Sequence, residues 1–487
     1  MTTTTRFRTI GLGVCLLFAS GSAAAATRSV GPGKQYATPC AAVAAASDGD
    51  VIEIDAAGNY DGDVCAINKN QLTLKGVNGR AKIDAAGQNA QGKAIWVISG
   101  NDVTVENIEL TGATVQDQNG AGIRQEGANL TVRHCYFHDN ENGILAGDNP
   151  NSEILIEYSE FDHNGYGDGY SHNLYINHVK KLTFQYNWSH RAKIGHLFKS
   201  RAAETHVLYN RLTGEGDGTQ SYEIDVPNGG KTYVIGNLVE QGPQTDNPNM
   251  LAYQEEGANA ANPSHELFVI NNTFVNDKGN GTFVNIGGSV STPAVIKNNI
   301  FFGGGTVTNQ GNADQANNES GTTTCLADAA NFDYHLVAGS PCVDAGVDPG
   351  TGAGMALLPQ FQYVHPADRE NRTSVGAIDI GAYELGGGSA GTGGAGGSGG
   401  GNTGGSAGSA TGGAAGAGTG GGATGGASSG GSSSGGAAGS TGSGGSKAGG
   451  SSSDDGGCGC RVGTRPTPGS WFAFAAALGL LALRRRR

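Results

Sequence analysis

The stretches LTFQYNWS (182–189), THVLYNRL (205–212), TYVIGNLV (232–239), LFVINNTF (267–274) and AVIKNNIF (294–301) decide the fold of this chain. Each alternates apolar and polar residues up to a bend, which is the periodicity of a β-strand. Related stretches begin upstream at Val103, Leu130 and Ile154. Nothing between these units has the length or period of a crossover helix, so the pattern excludes an alternating β/α sheet.

The sixth position of each unit carries the most information. It is Asn187, Asn210, Asn237, Asn272 and Asn299 in five consecutive units, and Ile108, Cys135 and Ser159 in the three before them. Stacked coils lie about 4.8 Å apart, so in-phase asparagines can bond to one another through their amides. The backbone groups of a bend need such partners in the interior. The sequence therefore predicts an all-β parallel solenoid of about ten coils.

Second strands follow the first ones, beginning at Ala121, Asn142, Asn173, His196, Ser221, Met250 and Thr282. An amphipathic helix between Tyr36 and Ser47 is expected to cap the first coil, since a solenoid would otherwise expose its core and a free edge. This cap, GDVIEI (49–54) and the coils resemble the pectate-lyase-type right-handed parallel β-helix superfamily over roughly residues 30 to 310. The stretch FDYHLVAGSPCVDAG (332–346) resembles the closing segment of bacterial surface β-helix proteins.

The two ends indicate export. Residues 1–26 read as a signal peptide, with Arg6 and Arg8 before a short apolar run. The β-helix domain is predicted over 27–385, and the Gly/Ser/Ala-rich residues 386–457 are predicted to form a disordered stalk.

The last segment, 458–487, carries Cys458 and Cys460, an apolar run and four terminal arginines. It resembles the tripartite sorting signals of myxobacterial surface proteins. That resemblance implies processing near Cys458 or Cys460 by sorting machinery, membrane contact only through this segment, and a body displayed at the cell surface or outer membrane. A plain single-pass tail anchor is the alternative.

Cysteines and charge narrow the functional classes. In an oxidising compartment, Cys40–Cys65 and Cys325–Cys342 are expected as disulfides, with Cys135 free in the interior. The formal charge is −13 overall, and −21 once the eight arginines of the two ends are set aside. Such a body should repel nucleic acid. It would need local basic residues or a cation to hold an acidic polysaccharide.

One region, residues 163–256, concentrates polar side chains on adjacent second strands. Lys199 and Arg201 lie there beside carboxylates of the following coils. The main hypothesis is a lyase that cleaves an acidic, uronate-containing polysaccharide by β-elimination, with Lys199 or Arg201 as the base. A calcium ion held by Glu223, Asp225 and Glu255 is predicted to neutralise the substrate carboxylate. The predicted catalytic residues are Lys199, Arg201, His172 and Tyr175, and the predicted substrate-binding residues are Asn177, His196 and Tyr253.

This set is similar in residue types to β-helix lyases of the alginate and dermatan type. The order differs, because here the basic pair precedes the acidic strand. Two alternatives stay open. One is a glycoside hydrolase that uses Asp225 with Glu255 or Glu223. The other is a surface that binds sugar without cleaving it, or that is only structural, with these charges forming salt bridges between coils. The orientation of Lys199 depends on whether Leu197 or Phe198 is buried.

Overall fold

In the computed structural model, residues 1–2, 25–322 and 324–386 are described. Most of the expected signal peptide and stalk, and the whole C-terminal segment with Cys458 and Cys460, lie outside the described residues. Within the described part, no helix is long and apolar enough to cross a membrane.

Three parallel sheets wind around one interior as a β-helix of about ten coils. Sheet 1 contains Thr27–Val30, Val51–Asp55, Thr73–Val77, Val103–Glu106, Leu130–Arg133, Asn149–Glu157, Val179–Gln185, Glu204–Leu208, Lys231–Ile235, Leu267–Ile270, Val295–Lys297 and Asp314–Ala316. Sheet 2 contains Cys65–Ile67, Ala94–Ile98, Ala121–Gln125, Asn142–Ala146, Leu174–Ile176, Lys199–Ser200, Ile224–Val226, Leu251–Tyr253, Thr282–Ile286 and Thr306–Thr308. Sheet 3 contains Ala81–Asp84, Ile108–Thr111, Tyr136–His138, Glu160–Asp162, Trp188–His190, Arg211–Thr213, Leu238–Gln241, Thr273–Asn276, Ile300–Gly303 and Glu319–Gly321.

Each repeated unit of the sequence spans a strand of sheet 1, a bend, and a strand of sheet 3. The in-phase asparagines lie at that bend and form a continuous buried ladder. Asn187, for example, donates its backbone and side-chain N–H groups to Asn210 Oδ1 at 2.9 and 3.1 Å, and its amide also donates to the Ile156 carbonyl at 2.9 Å. The same pattern continues through Asn237 and Asn272 to Asn299. The ladder satisfies backbone groups that leave the sheets.

A second, shorter ladder lies at the bend between sheets 3 and 2. The Asn140 amide donates to Asn164 Oδ1 and the Asn164 amide donates to Asn173 Oδ1, both at 3.0 Å. Asn173 then donates to the His190 carbonyl at 2.8 Å. This ladder fixes the chain immediately before the polar strands of sheet 2.

The N-terminal cap is the helix Pro39–Ala45, as expected. The disulfide Cys40–Cys65 joins it to the first strand of sheet 2. Cys135 is a free, buried cysteine, and burial raises the pKa of its thiol to about 12.

The closing segment does not continue the coils. It consists of the 3₁₀ turn Ala329–Asn331 and three antiparallel hairpins: Leu326–Asp328 with Asp333–Leu336, Thr351–Gly352 with Met355–Ala356, and Phe361–Val364 with Asp368–Asn371. The disulfide Cys325–Cys342 closes its first part.

This segment runs back along the side of the β-helix. Phe361 packs edge-on against the stacked rings of Tyr186 and Tyr209, and the Arg369 guanidinium lies 4.8 Å from the Tyr186 ring centroid. The segment therefore braces the corner next to sheet 1 and leaves the outer face of sheet 2 to the polar residues.

Replacing Asn237 with Ala should lower the free energy of unfolding by about 3 kcal/mol, because it removes the acceptor of the buried Asn210 N–H and the amide that donates to the Val207 carbonyl. Urea denaturation followed by circular dichroism measures this loss. Asn151→Ala removes an exposed asparagine and is the matched control. Equal midpoints for the two variants would contradict the structural role of the ladder.

Candidate active site

The polar residues of sheet 2 form one outward-facing column across consecutive coils. Tyr175 pairs in register with Lys199, Lys199 with Asp225, and Asp225 with Ala252. Their neighbours in the same strands, including Ile176 and Val226, belong to the core. Successive residues of a strand point to opposite faces, and neighbouring strands lie about 4.8 Å apart. This register therefore places the side chains of Tyr175, Lys199 and Asp225 next to one another on the outer face.

The orientation of Lys199, left open by the sequence, follows from this register. Leu197 and Phe198 are both buried in the core, while Ser200 bonds to Thr205 in the interior at 2.8 Å. Lys199 points to the outer face, where its Nζ lies 3.0 Å from Asp225 Oδ2 and 3.5 Å from Glu256 Oε1.

Arg201 completes what we call the cationic pair, Lys199 and Arg201. Its Nε donates to the Tyr175 hydroxyl at 2.9 Å and its Nη2 donates to Glu256 Oε2 at 2.6 Å. Its Nη1 donates to Asn228 Oδ1. The two carboxylate oxygens of Glu256 therefore reach the two cations, one each.

Exposure separates Glu256 from its partners. The side chains of Lys199, Arg201 and Asp225 are 4%, 3% and 4% exposed, whereas that of Glu256 is 25% exposed. Glu256 belongs to the loop after Leu251–Tyr253, the insertion that lengthens this repeat, and Asn262 of the loop donates to the Arg201 carbonyl at 3.3 Å. Glu256 is thus the most exposed member of this cluster, and it covers the cationic pair.

Two buried histidines form one wall of the site. The rings of His172 and His196 stack at 4.5 Å, and the backbone N–H of His196 donates to His172 Nδ1 at 2.9 Å. Burial, reinforced by the nearby cationic pair, holds the pKa of both imidazoles well below the usual value. His196 Nδ1 accepts the Tyr222 N–H, so its proton is on Nε2, 3.3 Å from Asp225 Oδ2. Both histidines are neutral and position their neighbours.

Several residues predicted from the sequence lie elsewhere. The prediction for Tyr253 is wrong, because its ring is fully buried in the core and its hydroxyl donates to the Gly230 carbonyl. Asn177 is half-buried and its Oδ1 accepts the backbone N–H of His178 at 2.9 Å. His172 is 2% exposed, about as buried as Arg201, and its ring meets that of Tyr175 edge-on at a centroid distance of 5.6 Å.

The three carboxylates predicted to hold calcium have separate partners. Asp225 faces Lys199, Glu255 accepts hydrogen bonds from Tyr222 and Asn285, and Glu223 is buried against Gln220. Among the described residues, no group of three or more His, Cys, Asp or Glu side chains is arranged to hold a metal ion. As they stand, these carboxylates do not fit a calcium site.

The sequence reasoning missed the roles of Glu256 and Asn228. Glu256 was overlooked because it adjoins Glu255, and strand alternation alone cannot tell which of two neighbours a loop turns inward. The second ladder did have a signal, since Asn140 and Asn164 are 24 residues apart, the spacing of the two repeats that contain them.

A separate acidic cluster lies beneath the loops between sheets 3 and 2. Burial raises the pKa of Glu223 well above its usual value and that of Glu240 to about 8. Burial also raises the pKa of Asp277, which contacts Glu240. Glu240 therefore holds its proton at neutral pH, and burial favours the protonated forms of Glu223 and Asp277 as well.

Comparisons with known proteins agree with this architecture. The family model described as "Right handed beta helix region" matches residues 70–239, in line with the predicted right-handed fold. No curated protein matches the sequence. Among solved structures, the pectate lyase Pel9A is 14% identical with a TM-score of 0.51, covering 74% of this chain and 97% of its own.

Two further structures are 14% identical with lower TM-scores. ORF18 of Geobacillus virus E2 has a TM-score of 0.35, covering 58% of this chain and 56% of its own. The PL6 family alginate lyase AlyGC has a TM-score of 0.28, covering 66% of this chain and 58% of its own. At this identity, the likeness to Pel9A is one of fold.

Replacing Glu240 with Gln should flatten the pH dependence of stability. The folded state holds this proton more tightly than the unfolded chain, so the stabilisation is complete below the ordinary value of 4.5 and is lost as the pH rises through about 8. Thermal unfolding of the parent and of Glu240→Gln across this range measures the difference. Glu53→Gln, on the outer face of sheet 1, is the control, and a parent-like slope in Glu240→Gln would refute the assignment.

Proposed function

We propose that the protein is a lyase that cleaves an acidic, uronate-containing polysaccharide by β-elimination at the outer face of sheet 2. The observation that carries the proposal is Glu256, whose carboxylate spans Lys199 Nζ and Arg201 Nη2 at 3.5 and 2.6 Å. A uronate carboxylate has the same shape and charge. It would take the place of Glu256 when that loop residue moves aside.

The cationic pair suits the electrostatic demand of elimination. Removing the proton α to a carboxylate builds negative charge on that group, and fixed cations stabilise it in a water-poor site. Lys199 pairs with two carboxylates and so acts as an ammonium cation, not as the base that the sequence suggested. Arg201 presents a planar donor set matched to a carboxylate.

We assign the proton transfer to Tyr175. Its oxygen accepts a hydrogen bond from Arg201 Nε at 2.9 Å, which holds it beside the cationic pair. In the proposed step, the deprotonated Tyr175 oxygen takes the proton from C5 of the uronate, the electron pair forms the C4–C5 double bond, and the C4–O bond breaks. Tyr175 then returns the proton to the leaving oxygen, so one residue closes the cycle.

The other functions have less support. For a hydrolase, Asp225 would have to serve as an acid or nucleophile, yet its carboxylate is buried between Lys199 and His196. A purely structural role is favoured by the near-complete burial of the cationic pair. It leaves unexplained why the carboxylate bridging the two cations comes from a partly exposed loop.

Three variants test the lyase proposal on polygalacturonate, alginate and chondroitin-type polymers. Lys199→Ala should abolish both binding and turnover, whereas Tyr175→Phe should retain binding and lose turnover. Glu256→Gln should bind acidic oligosaccharides roughly tenfold more tightly, about 1.4 kcal/mol, because a competing charge is removed. Elimination is read from the ultraviolet absorbance of the unsaturated product, which hydrolysis does not create.

Lys180→Ala is the control, since this lysine also pairs with a glutamate but lies exposed on sheet 1. Addition of a chelator, with calcium restored afterwards, should leave the activity unchanged in the same assay, because Glu223, Asp225 and Glu255 have separate partners. A reversible loss of activity would instead support the calcium site expected from the sequence. If no polymer yields unsaturated product, and Lys199→Ala binds glycans like the parent, the proposal fails and the ion pairs serve only the fold.

We also propose that the protein works outside the cell, displayed at the surface through its C-terminal segment. The two disulfides support an oxidising compartment. Protease added to intact cells should release the β-helix by cutting within 386–457. Recovery of the intact protein only from the cytoplasm would contradict this location.

A further inference from the structure

Next to the cationic pair lies a cavity of about 170 Å³, which we call the tyrosine cavity. Tyr170, Tyr222 and His196 line it, together with the carboxylate residues Asp168 and Asp246. Its location is at the loops that lead from sheet 3 into sheet 2. It has room for a single sugar ring.

The aromatic side of the cavity is open to solvent. The exposed tyrosines of the described residues are Tyr166 and Tyr170, 52% and 56% exposed, and both belong to the loop before Leu174–Ile176. Exposed rings of this kind offer a flat apolar surface with a polar edge, which suits the apolar face of a sugar.

The loop that carries these rings is held in shape. The Tyr166 N–H donates to Ser171 Oγ at 2.7 Å and the Tyr170 N–H donates to Asp168 Oδ1 at 2.9 Å. Asn164 and Asn173 of the second ladder anchor its two ends. A preformed loop loses little freedom on binding, so its ring can contribute to affinity.

The cavity and the cationic pair share a wall. His196 lines the cavity, its Nε2 lies 3.3 Å from Asp225 Oδ2, and Asp225 lies 3.0 Å from Lys199 Nζ. The cavity and the cationic pair therefore lie on either side of His196 and Asp225, as neighbouring places for one glycan chain.

The tyrosine cavity and the cationic pair carry charges of opposite sign. The cavity is lined by Asp168 and Asp246 and by no lysine or arginine, and burial keeps His196 neutral. A carboxylated sugar placed there would meet like charge, which costs affinity. A sugar without a carboxylate meets no such penalty.

We propose that the tyrosine cavity is a subsite for an uncharged sugar, so that the substrate alternates a uronate with a neutral or N-acetylated hexose instead of being a pure polyuronate. This inference rests on the proposed lyase function for the place of the uronate. It adds the class of polymer and assigns Tyr170 as the stacking residue.

The test measures binding in the Tyr175→Phe background, so that no glycan is consumed. Oligosaccharides of unsulfated chondroitin, which alternate uronate with N-acetylhexosamine, should bind at least tenfold more tightly than oligogalacturonate of equal length. Adding Tyr170→Ala should remove that preference. Adding Tyr166→Ala, the neighbouring exposed tyrosine that does not line the cavity, should leave it intact. The pair Asp168→Asn and Asp246→Asn should raise the affinity for oligogalacturonate several-fold.

The outcomes separate the two proposals. If oligogalacturonate binds as well as the alternating chain and Tyr170→Ala changes nothing, while the parent still yields unsaturated product, the subsite is overturned and the lyase proposal stands. If neither oligosaccharide binds and no product forms, both are overturned.

Discussion

The side-chain amide of an asparagine, bonded at once to the coil above and to the coil below, is the interaction on which this structure depends. At each bend between sheets 1 and 3 the backbone turns away from its sheet partners, and unsatisfied N–H and C=O groups in that interior would each cost about 1–3 kcal/mol. The ladder from Asn187 to Asn299 meets that need with one amide per coil. It also fixes the register, because an amide out of step would lose its bonds in both directions.

Register is what turns separate polar residues into a site. Tyr175, Lys199 and Asp225 come from three coils, 24 and 26 residues apart, and are neighbours only because the coils stack without slipping. The second ladder, ending at Asn173, holds the chain immediately before this column. The rigid wall then supports a cluster of buried opposite charges, in which removal of one partner would leave the other unpaired at a high cost. Glu256, on a loop and partly exposed, is the one member able to leave.

The sequence predicted the fold well because periodicity and phase are backbone properties. Alternation identified the strands, and the asparagines identified a bend that repeats in step. The same reasoning located Lys199, Arg201 and Asp225 on one face. It failed for Tyr253, since a large polar aromatic in a strand can face inward when its hydroxyl finds a carbonyl, here that of Gly230. It also chose Glu255 over Glu256. Both residues follow the strand Leu251–Tyr253, where the alternation of inward and outward side chains ends and the loop conformation sets the direction of each side chain.

The most direct measurement of the central claim is a crystal structure of the Tyr175→Phe protein with a uronate-containing oligosaccharide. We predict a sugar carboxylate between Lys199 Nζ and Arg201 Nη2, with Glu256 turned away and C5 of that sugar facing residue 175. A glycan bound on another face, or Glu256 still bridging the two cations at 3.5 and 2.6 Å beside a bound chain, would contradict it.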